Sequence, residues 1–182
     1  GVRLTEITQK LAYKYTRLRN ATNPITITTS RNLMRIKDEV EDATKNRPTT
    51  ELIWKSLKLI RTQRIADFFW RMIHGKIKCG SFFRHMPKWQ DRQFCPCGQI
   101  EDIDHITLHC EKSGPRFMEY LSKIWVCLTK KPFQTPTYGT LMGIGTIQVD
   151  KKNGQSDATL TEIHHTMITL AAWTLWKTRN ER

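Results

Sequence analysis

Three thiols and one imidazole fall within sixteen residues of this 182-residue chain, at Cys95, Cys97, His105 and Cys110. No other feature restricts the fold as strongly. Tetrahedral zinc prefers such a set of soft thiolates and imidazole, and one ion would pin distant points of the backbone together. Gly98 after the second thiol permits the tight turn such a knuckle needs. A closed four-ligand set of this kind is structural, with no open catalytic position. One feature resists the reading. A single residue separates Cys95 from Cys97, where two to four are usual. Alternate residues of an extended segment point to opposite faces, so the backbone must twist for both sulfurs to reach one ion. Cys79, His85 and His109 are substitutes within reach in sequence, and free, partly buried thiols are the other alternative. Five cysteines, an odd number with three crowded together, do not suit a secreted disulfide framework. They suit a reducing compartment, the nucleus or the cytoplasm.

Around this cluster the apolar pattern is helical. Leu4, Ile7, Leu11, Tyr15 and Leu18 recur at helical spacing, with Thr5 as a cap and Pro24 as a stop. Residues 25–29 are Thr-rich and read as an extended linker, and Ser30 reads as the N-cap of a helix carrying Leu33, Ile36 and Val40. The acids Asp38, Glu39, Glu41 and Asp42 of that helix sit at the wrong end for its dipole. Thr49 or Thr50 caps the next helix, and another spans roughly 62–74 and closes at Gly75. A helical turn is expected near 81–84, a turn-rich stretch over 87–98 and a short helix over 102–110. A helix starts at Gly114 and Pro115. Residues 132–157, rich in Pro and Gly, read as the loosest part, with a turn of helix and a short extended piece within 141–149. A long helix spans 159–179. The sum is an all-α domain, a compact bundle of about seven helices with an embedded zinc knuckle at 95–110. An N-terminal helical segment (1–48) precedes the helical domain (49–182). Trp54, Phe68, Phe69, Trp70, Trp125, Trp173 and Trp176 fall on apolar faces and read as core.

The chain is strongly basic, with 30 Lys and Arg against 17 Asp and Glu and a net charge of +13. The excess is concentrated. Lys55, Lys58, Arg61, Arg64, Arg71, Lys76, Lys78, Arg84, Lys88 and Arg92 share residues 55–92 with two acids only, Asp67 and Asp91, which gives that stretch +8. Such a patch suits phosphate-rich partners, bound through sequence-independent and salt-sensitive contacts. Trp89 and Phe94 lie among the cations, either stacking on unpaired bases or packed in the core. RNA or DNA is the expected partner.

Other classes find little support. A nuclease needs clustered carboxylates for a divalent metal. Asp67 and Asp91 are isolated, while Glu101, Asp102 and Asp104 crowd the knuckle and belong to the first turn of its helix. No glycine-rich phosphate loop, nucleophile elbow or metalloprotease motif is present. The chain reads as non-catalytic on its own. His164 and His165 are adjacent and project about 100° apart on a helix, so they read as surface or core-edge residues. No apolar run approaches the ~18 residues of a membrane span, no secretory signal pattern opens the chain, and no membrane partner is expected.

Several segments in order carry a resemblance. They are QKLAYK at 9–14, IWKSL at 53–57, IADFFW at 65–70 followed by His74 and Gly75, and Phe82 and Phe83 with Met86 and Pro87. Cys97, Gly98, Glu101, Asp104 and His105 follow, then Trp173, Trp176 and Arg179. Over nearly its whole length the chain resembles the C-terminal region of non-LTR retrotransposon polyproteins. It looks most like the fungal versions, whose region includes the reverse-transcriptase zinc-binding domain. The family pattern is two Cys separated by two residues, then Gly, an acid, His and Cys. Cys97, His105 and Cys110 fall on its ligand positions, and Cys95 falls one residue short of the first. The resemblance implies a module that holds template RNA or target DNA during target-primed reverse transcription. It would work beside the rest of a polyprotein whose polymerase and ribonuclease H lie outside these residues. The alternative is a copy recruited as a protein-interaction module or fungal effector-like protein, with a host protein as partner and no nucleic-acid role.

Overall fold

The stops and starts written in the sequence govern the architecture of the computed structural model, which describes residues 8–20, 27–150 and 155–181. Leu4, Thr5, Ile7 and the break at Pro24 lie outside those residues. The α-helices are α1 (Gln9–Asn20), α2 (Ile27–Thr44), α3 (Thr50–Leu57), α4 (Gln63–Ile73), α5 (Gly114–Thr129), α6 (Tyr138–Met142) and α7 (Ala158–Asn180). Among the described residues there is no strand, only isolated antiparallel bridges joining Phe94 to Ile100 and Asp150 to Ser156. The protein is all-α. None of the described helices is long and apolar enough to cross a membrane.

The caps follow the residues. Thr49 accepts the Leu52 N–H through its hydroxyl and opens α3, satisfying a donor that a helix start leaves orphaned. Gly75, at φ +60°, takes the left-handed position after α4 that glycine occupies without strain. Asp157 caps α7 by accepting from the Leu160 N–H.

Several expectations need correction. Residues 27–29 are not an extended linker, and Ser30 is not a cap. The helix is already formed at Ile27, because tertiary packing outweighs β-branched propensity. Thr29 is fully buried with its hydroxyl 3.0 Å from His74 Nδ1. The Asn32 amide donates to the carbonyls of Met72 and Ile73, filling acceptors left open at the end of α4. Three of the four acids of α2 are compensated by ion pairs. Arg35 holds Glu39 at 2.5 Å, and Arg47 holds Asp38 at 2.7 Å and Glu41 at 2.5 Å. Residues 138–144 are not loose either. A Thr137–Thr140 capping box builds α6 there, every residue from Tyr138 to Ile144 is buried, and Glu39 accepts the Gly139 N–H at 2.6 Å.

The core is shared across the chain. Leu33, Ile36 and Val40 of α2 join Phe69, Met72 and Ile73 of α4, Leu141 and Met142 of α6, and Ile168 and Ala172 of α7 in one apolar cluster. Trp70 departs from its assignment to the core, since nearly half of it is exposed. Its ring packs on His74, 4.1 Å away between centroids.

His164 lies at the edge of this core, beside Trp125 at 5.2 Å and Phe133 at 6.4 Å. It lines a cavity of about 440 Å³ with its Nδ1 buried and unpartnered. Burial first, and then the adjacent His165, push its pKa down from 6.5 to about 4. The folded state therefore keeps His164 neutral, whereas the unfolded chain takes up a proton below pH 6.5. This contribution is complete above pH 6.5 and is lost as pH falls toward 4. Lowering the pH from 7.5 to 4.5 is expected to cost about 2–3 kcal/mol more in the parent than in His164→Phe, measured by urea unfolding. Equal losses in the two proteins would contradict it.

Candidate metal centre

Residues 95–110 reach one point in space through two irregular turns. The first solves the short spacing. Gly98 N–H donates to the Cys95 carbonyl at 2.8 Å, so Cys95, Pro96, Cys97 and Gly98 form a β-turn with proline at its second position, where its fixed φ fits. The Cys95 N–H donates to Gln99 at 2.8 Å, and the Phe94–Ile100 bridge closes the hairpin. Inside a turn the strand alternation no longer applies, and both sulfurs face inward. The second turn is π-helical, over His105–His109, with the Cys110 N–H donating to the His105 carbonyl at 2.7 Å. In an α-helix, residues five apart point about 140° away from each other. The wider i→i+5 turn brings His105 and Cys110 back to one side, and such turns concentrate at functional sites.

The result is a tight group. The Cys95, Cys97 and Cys110 sulfurs and a His105 ring nitrogen all lie within 4.8 Å of one another. Cys95 Sγ is 3.4 Å from Cys110 Sγ, and Cys97 Sγ is 3.2 Å from His105 Nε2. These two contacts are opposite edges of a tetrahedron. With metal–sulfur bonds of about 2.3 Å, a tetrahedral edge measures roughly 3.8 Å, so the four donors fit one metal ion without rebuilding the backbone. Cys95, His105 and Cys110 are buried and Cys97 is partly so. Cys79, His85 and His109 stand outside the group.

The surroundings orient the donors. Asp102 accepts the His105 backbone N–H at 2.7 Å. Burial pushes the Cys95 thiol up to about 11. Burial opposes ionisation of Cys110 as well, but hydrogen bonds from the Ser113 hydroxyl and the Lys112 N–H help to bring it below its ordinary value. Three thiolates this close need a positive charge between them, which a dication supplies.

One long-range tie was not foreseen. Glu101, 3% exposed, is paired with Arg179 of α7, whose Nε donates to Oε2 at 2.5 Å. The Arg179 guanidinium also donates to the Arg92 carbonyl and lies over the rings of Phe83 and Trp176. Nothing in the spacing of these two residues along the sequence signalled that they meet.

Comparison with family models, curated proteins and solved structures finds no match. The chain's own residues therefore carry the functional reading.

The basic residues are spread over several elements. Arg64, Arg71, Lys76 and Lys78 line one groove beside α4, and Lys58 lines a second with Trp54 and Trp70. Arg61 turns away to pair with Glu162 of α7. Lys55 is exposed on the last turn of α3. Arg84, Lys88 and Arg92 are exposed along the 3₁₀ turns Gly80–His85 and Pro87–Gln93. Arg92 lies 4.2 Å over the ring of Trp89, which with Phe94 is about half exposed.

Proposed function

We propose that this chain is a non-catalytic module that binds one zinc ion at Cys95, Cys97, His105 and Cys110 and holds RNA or DNA through phosphate contacts. The convergence of three thiols and one imidazole at the hinge of two irregular turns carries the reading. When bound, zinc supplies a covalent-strength clamp between the hairpin and the π-turn. The chain's residues do the rest. Glu101 and Arg179 tie the clamped segment to α7, and the preceding turns present Arg84, Lys88, Trp89 and Arg92 to solvent. Lys and Arg in that arrangement attract phosphates without reading bases. The likeness to the C-terminal region of retrotransposon polyproteins is part of this proposal. It is supported by the same segments that build α3, α4, the knuckle and the end of α7.

The test is binding of a labelled single-stranded RNA and a duplex DNA across a salt series. Four or five phosphate contacts should weaken binding by about a hundredfold to a thousandfold between 50 and 200 mM salt. Absence of binding at 50 mM would sink the nucleic-acid half of the proposal and favour a protein partner.

A further inference from the structure

We infer that the groove between α4, residues 76–78 and the C-terminal half of α7 is the subsite for an unpaired nucleotide, so that the preferred ligand is single-stranded nucleic acid. The inference rests on the nucleic-acid reading above and names its substrate class.

Charge is the first observation. Some arginines of the protein are taken up by carboxylates, as at Arg35, Arg47, Arg61 and Arg179. Most of the cations lining the groove are not. Among the described residues Asp67 is the one carboxylate lining it, and it is engaged by Arg71 at 2.9 Å. Among the described residues, Arg64, Lys76 and Lys78 take part in no ion pair. Three cations around one concavity attract a dianionic or polyanionic ligand.

The floor is the second observation, and the one that points to a base. It is made of Trp173, Trp176 and Phe68. Phe68 sits edge-on to Trp173 at 5.6 Å and nearly parallel to Trp176 at 6.0 Å. Trp176 also carries the Arg179 guanidinium at 5.6 Å. It is thus engaged by two neighbours, which leaves the Trp173 indole as the ring to receive a base. The ring is held in place before the ligand arrives, so little side-chain freedom is lost on binding.

Size is the third. The groove holds about 290 Å³, at the lower limit of small-ligand pockets. It has room for one base with its phosphate. A duplex keeps its bases stacked inside and offers the groove only its backbone. Lys78 lies 5.3 Å over the Phe82 ring on the first of the two 3₁₀ turns, and the second turn carries the exposed Trp89, a further ring on which a base can stack.

The experiment compares fluorescence anisotropy of a labelled 20-mer of uridine, a 20-mer of thymidine and a 20-base-pair duplex with the full chain. The variants are Arg64→Glu/Lys76→Glu, the charge-matched control Arg116→Glu/Lys123→Glu on α5, Trp173→Leu and Trp173→Phe, each checked for folding by its melting curve. The parent should bind single strands about tenfold or more tighter than the duplex. The groove pair should lose about tenfold relative to the control, and Trp173→Leu should lose a similar factor that Trp173→Phe largely restores. Should Trp173→Leu not fold, quenching of tryptophan fluorescence by the 20-mers in the parent but not in the groove pair reports the same contact. A preference between the uridine and thymidine strands names RNA or DNA. Duplex preference, or a groove pair no weaker than the control, overturns this inference alone. A parent that binds none of the three overturns the reading on which it rests.

Discussion

Replacing His105 or Cys110 with alanine is expected to lower the melting temperature by roughly 8–16 °C. Zinc clamps in small domains contribute about 10 kcal/mol or more of folding free energy, and a site reduced to three donors retains only part of it. A loss of about 4 kcal/mol corresponds to that shift in a domain of this size. The two residues are fitting targets because both are buried and they stand at the two ends of the π-turn. Cys127, exposed on α5, is the control, and Cys127→Ala should melt like the parent. Parent-like melting of both His105→Ala and Cys110→Ala would remove the clamp from the explanation of the fold.

Breaking the Glu101–Arg179 pair should rank next. The carboxylate is almost fully buried and the guanidinium side chain is 12% exposed, so removing one partner strands the other in a medium that solvates it poorly. Arg179→Met is expected to cost about 3–5 kcal/mol, read by urea unfolding at neutral pH. The double variant Glu101→Leu/Arg179→Met should recover a large part of that loss, because no buried charge remains. A single-variant cost below about 1 kcal/mol, the range of exposed pairs, would show that water reaches the pair. The pair matters beyond stability, since it fastens the hairpin that carries Cys95 and Cys97 to the helix that carries Trp173.

Local signals in the sequence located most of the helices. Thr49, Gly75 and Pro115 act through their own backbone chemistry and mark helix ends whatever surrounds them. Helix α6 was hidden for the opposite reason. Gly139 and Gly143 read as loop residues, yet they are there for close packing. A Cβ on Gly139 would lie 2.6 Å from the Arg35 carbonyl oxygen, and one on Gly143 would lie 2.6 Å from Ile36 Cγ2. Only the position of α2 gives those glycines their meaning. The donors at the metal centre were legible as residue types, but the way Cys95 and Cys97 converge was not. The alternation rule applies to extended chain, and Pro96 makes a turn. Among the basic residues the charge excess was plain. Its division was not, because Arg61 is diverted by a glutamate 101 positions away. The groove floor was missed because Trp173 and Trp176 sit at core spacing on α7 and are only half-buried.

The metal content of the full chain, purified under reducing conditions without added metal and measured by atomic emission, tests the central claim most directly. One zinc ion per chain, released when the thiols are blocked and missing from Cys110→Ala, is the expected result. A folded chain that carries no zinc, or zinc that persists unchanged in Cys110→Ala, would contradict it.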